Sequence, residues 1–129
     1  MLVHTSIRTS NMDRSIDFYT RLLGLALVSR RKTPQNSAEI AFLRDQQAKG
    51  STLELTFYRN QRKFFQAEYE DRVFDHLAFE VKDMKKTLNA MQKEKVTITD
   101  EPFKLSLTGP VIAFIEDSDG TLIELIERK

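Results

Sequence analysis

Apolar and polar positions alternate along LVHTSIRT (residues 2–9). Val3, Thr5 and Ile7 fall on one face and His4, Ser6 and Arg8 on the other, the pattern of a half-buried strand. DHLAFEV (residues 75–81) behaves likewise, with Leu77, Phe79 and Val81 opposite His76, Ala78 and Glu80. A helical period follows each strand. Asn11 stands as an N-cap before Met12, Ile16, Tyr19, Leu22 and Leu23, and Gly24 closes that helix. Asp83 does the same for Met84, Leu88 and Met91. Further strands are predicted over LALVSR (25–30), AEIAFL (38–43), TLELTFY (52–58), VTITDE (96–101), VIAFIE (111–116) and TLIELIE (121–127), with a tight turn at DSDG (117–120).

These elements come in two matching sets. At an offset of 72 residues His4 meets His76, Asn11 meets Asp83, Met12 meets Met84 and Ile16 meets Leu88, and IAFLRD (40–45) falls on IAFIED (112–117). Two distant segments sharing one offset indicate a duplicated unit of strand, helix and three strands. A two-residue difference in the following turn then pairs Glu54 with Glu124. The expected organisation is an α+β fold in one domain over residues 1–129, with internal repeats at about 2–58 and 74–128. Residues 59–74 join the copies. Phe64, Phe65 and Tyr69 make this joint too apolar for a free linker, so part of it is expected to pack on the surface or at a subunit contact.

Composition narrows the function classes. A chain of 129 residues is long enough for one self-sufficient core. The formal charge of +1 gives no general pull toward nucleic acid or an anionic membrane, so neither is an expected partner. No segment reads as a secretory leader or as the roughly 20 apolar residues of a membrane span, and a cytoplasmic location is the expectation. The sequence has no cysteine, which removes disulfides and thiolate ligands; any metal must be held by imidazole and carboxylate.

Period two gives Glu54 an unusual place. Thr52, Glu54, Thr56 and Tyr58 share one face of their strand, while Glu124 has Leu122 and Ile126 beside it on its own face. An isolated buried carboxylate must be neutralised, paired or bound to a cation. The chain's two histidines occupy equivalent places in the repeat, each followed by an in-strand glutamate, 50 residues on from His4 and 48 on from His76. That coincidence points to His4, Glu54, His76 and Glu124 as ligands of a shared metal. Two neutral imidazoles and two carboxylates form a doubly negative N/O set that leaves positions for water or substrate, and suits Ni, Co, Mn, Fe or Zn with five or six ligands. Open positions of that kind imply catalysis.

The duplicated unit, with His4, LELTF around Glu54, DHLAFEV around His76 and IAFIEDSDGTLIELIE around Glu124, resembles the glyoxalase I family of the vicinal oxygen chelate superfamily. HTSIRTSNMDRSIDFYTRLLGL is similar to that family's opening segment, and the likeness spans nearly the whole chain. The resemblance implies paired βαβββ modules forming half-open barrel sheets, with the metal between the subunits of a homodimer. One chain would then supply His4 and Glu54 and its partner His76 and Glu124. It also implies one divalent ion per site, nickel or cobalt in the short bacterial forms, alternatively zinc, manganese or iron. The implied substrate is the hemithioacetal of a 2-oxoaldehyde, methylglyoxal, with glutathione. The implied reaction moves a proton between adjacent carbons through an enediolate, giving an S-lactoyl thioester. Glu124 is the expected catalytic base, with Glu54 on the opposite face of the intermediate. Arg8 and Lys104 match positions that meet the glutathione carboxylates.

Departures from the family pattern, among them a linker without its usual pattern before His76, leave the thiol open between glutathione, another low-molecular-weight thiol and no thiol at all. Tyr58 stands where the family commonly has asparagine, and LSLTGP (105–110) replaces a shorter glycine-rich loop. Other activities on the same fold are a thiol transferase, an epimerase or a dioxygenase. Glu54 at the fourth ligand place argues against the transferase and the dioxygenase, and the epimerases commonly carry glutamine there. A metal-free small-molecule or antibiotic-binding module is the alternative from another class, and it has no need of four ligand positions.

Overall fold

The computed structural model describes residues 1–47, 51–60 and 72–128. Phe64, Phe65 and Tyr69, and with them the expected packing of the joining segment, lie outside the described residues. The chain divides into two compact units, Met1–Phe65 and Gln66–Lys129.

In the first unit the order is β1 (His4–Arg8), α1 (Met12–Asp17), β2 (Leu25–Thr33), β3 (Ala38–Asp45) and β4 (Thr52–Tyr58). Its sheet runs β1-β4-β3-β2, with β1 parallel to β4 and the other pairs antiparallel. The second unit repeats this with β5 (Leu77–Val81), α2 (Met84–Lys93), β6 (Thr97–Lys104), β7 (Val111–Glu116) and β8 (Leu122–Glu127), in the order β5-β8-β7-β6. A parallel contact between the first and last strands needs a long crossover, and in each unit the helix begins it.

Both helices start as the sequence predicts. The Asn11 side chain accepts from the Arg14 backbone N–H at 3.0 Å, and that of Asp83 accepts from Lys86 N–H at 2.9 Å. One face of each sheet packs under its helix and carries the core. In the first unit this core is Ile7, Ala41, Leu43, Leu53 and Leu55 against Met12, Phe18 and Tyr19; in the second it is Ala113, Ile115, Ile123 and Leu125 against Met84, Leu88 and Met91. Arg30 on β2 ties α1 to the first sheet, bonding Glu39 on β3 and Asp13 on α1. These two acceptors, Glu39 foremost, hold its pKa above the ordinary guanidinium value.

The first helix departs from the expected stripe. α1 ends at Asp17 and a π-helical turn, Phe18–Leu22, follows. The wider turn turns two consecutive aromatics inward, so Phe18 and Tyr19 are buried and meet edge to face at 5.1 Å, while Ile16, Leu22 and Leu23 are only half-buried. Ser15 is buried too, its hydroxyl 2.5 Å from that of Thr9. Gly24, at φ 79°, ends the segment in the left-handed region that glycine adopts without strain.

The DSDG turn forms as expected: Asp117 Oδ1 accepts from the N–H groups of Asp119 and Thr121, each at 2.9 Å. Strands β2 and β6 run three residues beyond their predicted ends, paired antiparallel to β3 and β7. Among the described residues, no helix is long and apolar enough to cross a membrane.

Candidate functional site

The sheet face away from each helix carries the histidines and glutamates. In the first unit Ser6 on β1 and Phe42 on β3 stand in register on either side of Glu54 on β4. His4, two residues before Ser6, shares that face, and its Nε2 lies 3.4 Å from Glu54 Oε2. In the second unit Ala78 on β5 and Phe114 on β7 flank Glu124 on β8 in the same register. His76, just ahead of β5, places Nε2 3.1 Å from Glu124 Oε2. Each imidazole packs edge to face against its phenylalanine, His4 on Phe42 at 5.4 Å and His76 on Phe114 at 5.6 Å. The two phenylalanines are themselves 72 residues apart.

The predicted residues therefore assemble as two like pairs, His4 with Glu54 and His76 with Glu124. Among the described residues no three His, Asp or Glu side chains converge as a metal-holding group. The carboxylates are mostly covered, at 13% exposure for Glu54 and 17% for Glu124, whereas His4 and His76 are open at 41% and 32%.

Both pairs suit a cation. Two ligands each about 2.1 Å from an ion are about 3.0 Å apart at a right angle and about 3.4 Å apart at the tetrahedral angle. The separations of 3.1 and 3.4 Å are those of neighbouring ligands. The second pair adds a chemical argument. Asp75 Oδ1 lies 2.5 Å from His76 Nδ1, so that nitrogen carries the proton. In the neutral ring Nε2 then presents a lone pair to Glu124 Oε2, and two acceptors at 3.1 Å need a second ring proton or a cation between them.

The pairs differ in what holds them. Glu54 Oε1 accepts from the Ser6 and Thr56 hydroxyls, each at 2.9 Å, and those hydroxyls lie 2.9 Å from each other. Hydrogen bonds to a charged group are worth about 1.5–3 kcal/mol each where water is excluded, less on the open Ser6 side. Glu124 Oε1 has no hydrogen-bond partner among the described residues. For the histidines the order reverses: His76 is fixed through Nδ1 by Asp75, and His4 Nδ1 has no partner among the described residues.

The two expected substrate contacts have settings of their own. The Arg8 guanidinium lies 4.4 Å over the Tyr58 ring, on the same face of β1 as His4 and Ser6. Lys104 ends β6 and lines a cavity of about 310 Å³ with Thr108, Pro110 and Arg128. Sequence reasoning missed Ser6, Thr56 and Asp75. The repeat held a signal for the first two: at the positions equivalent to Ser6 and Thr56 the second copy has Ala78 and Ile126, a mismatch beside a matched glutamate.

Comparison with known proteins places this arrangement. The family model for the Glyoxalase/Bleomycin resistance protein/Dioxygenase superfamily matches residues 1–125. Among curated proteins the chain is similar to the lactoylglutathione lyase of Escherichia coli O157:H7, at 32% identity over 99% of this chain and 93% of that protein. It is also similar to the probable lactoylglutathione lyase of Vibrio cholerae, at 31% over 99% and 91%. Among solved structures, glyoxalase I from Zea mays superposes with a TM-score of 0.82 at 30% identity over 98% of this chain. This chain spans only 44% of that maize protein. A glyoxalase family protein from Bacillus cereus, at 19% identity, shares the fold with a TM-score of 0.85 over 98% of this chain and 92% of its own. The α+β class of paired βαβββ sheets is the fold of these proteins.

Proposed function

This chain belongs to the glyoxalase/bleomycin resistance protein/dioxygenase superfamily, and from that membership we propose that it is a metal-dependent lyase of the glyoxalase I type. The substrate is the hemithioacetal of a 2-oxoaldehyde and a thiol, either glutathione or another low-molecular-weight thiol. The product is the S-lactoyl thioester. The observation that carries this reading is the double occurrence of a histidine and a glutamate, in one register, at separations that suit neighbouring ligands of one cation.

His4, Glu54, His76 and Glu124 would hold a divalent ion, nickel or cobalt, alternatively zinc, manganese or iron. Each module supplies two of the four ligands, and in a homodimer the pair from one subunit is completed by the other module of its partner. Held there, a divalent ion would supply Lewis-acid stabilisation of the negative charge that develops on substrate oxygen.

The chain's own residues do the rest. Glu124 takes the proton from the carbon bearing sulfur and oxygen, a proton returns to the adjacent carbonyl carbon, and the hydroxyl proton passes from the first carbon's oxygen to the second's, so the isomerisation balances without another reactant. Its Oε1, without a hydrogen-bond partner among the described residues, gives this carboxylate the freedom to move toward and away from the substrate. Glu54 lies on the other face of the intermediate and stays in place. Arg8, backed by the Tyr58 ring, and Lys104 offer cations to the acidic groups of the thiol.

Metal content tests the reading. Protein refolded with nickel, cobalt or zinc is expected to retain one ion per site after desalting, and His4→Ala or His76→Ala to lose it. A protein that retains none, measured by plasma mass spectrometry, is instead a metal-free binding module.

A further inference from the structure

The hydroxyls around Glu54 have no counterpart around Glu124 among the described residues. Ser6 and Ala78 stand at matching register positions, beside Glu54 on the parallel strand pair β1/β4 and beside Glu124 on β5/β8. Thr56 and Ile126 match as well, each two residues beyond its glutamate on the same strand face. In the first module both hydroxyls point at one atom, Glu54 Oε1, leaving Oε2 toward His4. Thr56 is buried, with 6% of its surface exposed, so its hydroxyl has little water to turn to. In the second module a methyl group and an isoleucine stand where the hydroxyls would be.

We propose that Ser6 and Thr56 are positioning residues that hold the Glu54 carboxylate in place with Oε2 toward His4, and that Ala78 and Ile126 withhold this restraint from Glu124. This rests on the metal-dependent reading above. Geometry carries it. Turning Glu54 so that Oε1 reached a cation, or swinging the carboxylate off one, would break two hydrogen bonds of 2.9 Å together. Turning Glu124 breaks none among the described residues at Oε1. The duplication thus built two similar pairs, and two differences, one on each of the paired strands, gave them different freedom.

The test uses the whole protein loaded with cobalt, whose visible spectrum reports the ligand geometry. Removing both hydroxyls in Ser6→Ala/Thr56→Val is expected to weaken cobalt binding by about 10- to 100-fold against a competing chelator and to alter the spectrum. Ser6→Thr, which keeps a hydroxyl, is expected to stay within a few-fold of wild type. If the double variant does not fold, Ser6→Ala alone is read in the same way, with a smaller change in the same direction. The converse variant, Ala78→Ser with Ile126→Thr, is expected to lower kcat about tenfold or more with KM little changed, because it hampers the mobile carboxylate. An unchanged cobalt affinity and spectrum in the hydroxyl-free variant would overturn the proposal, as would a loss in Ser6→Thr equal to that in Ser6→Ala. An unchanged kcat in the converse variant overturns the mobile role of Glu124. A wild-type protein that takes up no metal at all defeats the metal-dependent reading itself, and this inference with it.

Discussion

The two modules share a frame and differ at its working face. Both run strand, helix and three strands, both cap the helix with an Asn or Asp side chain, and both set a glutamate beside a phenylalanine and a histidine. In the first the glutamate is held and, among the described residues, the histidine's far nitrogen has no partner. In the second the histidine is held by Asp75 and, among the described residues, the glutamate's far oxygen has none. Duplication preserves what strand register dictates, since a register slip would turn every side chain to the wrong face. It does not preserve the polar neighbours, which change one residue at a time. A proton-transfer site profits from that difference, because one carboxylate must keep its place while the other moves.

The most drastic way to separate the modules is to replace one glutamate at a time. Glu124→Gln is expected to lower kcat by about 100- to 10,000-fold, the range for losing a general base, while the protein stays folded. Glu54→Gln also removes most turnover, but through weaker metal binding, so excess metal should restore part of its rate and none of that of Glu124→Gln. Equal recovery of the two would erase the distinction between the modules.

A middle-sized effect is expected at Asp75. Asp75→Asn removes the carboxylate that orients His76, and a loss of such support costs about 10- to 100-fold in metal affinity. The residue 72 positions earlier is Val3, which offers His4 no such support, so Val3→Ala should leave affinity within about twofold of wild type on the same principle. Titration with a competing chelator checks both.

The smallest effect lies on the helices. Asp17 and Arg21 form an exposed pair at 2.8 Å, and the equivalent residues of the second module are Asn89 and Lys93. The hydrogen bond from Arg21 holds Asp17 below its ordinary value of 3.8. A lowered folded pKa stabilises above the unfolded value and is lost as pH falls through the folded one. Denaturant melts should therefore show a slight gap between wild type and Asp17→Asn near neutrality, closing below pH 3.8.

Much of this was legible in the sequence because the chain states it twice. The offset of 72 located both histidines and both caps, a two-residue difference in the turn then paired the glutamate strands, and period two put Glu54 on a polar face and Glu124 between two apolar neighbours. The π-helical turn was not legible. FYTRL carries no signature for it, and the turn is fixed by burying Phe18 and Tyr19 together. The clamp on Glu54 was hidden for a different reason. Serine and threonine are ordinary on a strand's polar face, and only the parallel register of β1 on β4 brings Ser6 beside a residue 48 positions away. Asp75 is adjacent to His76 in the chain, yet adjacency alone does not reveal that its carboxylate reaches Nδ1, since successive side chains in a strand point to opposite faces.

The central claim is metal-dependent proton transfer by Glu124. Its most direct test is the rate of thioester formation by nickel- or cobalt-loaded protein given methylglyoxal with each of a panel of small thiols, alongside Glu124→Gln under identical loading. The account predicts turnover with at least one thiol and its near-complete loss in the variant. No thioester with any thiol, or a variant as fast as wild type, would contradict it.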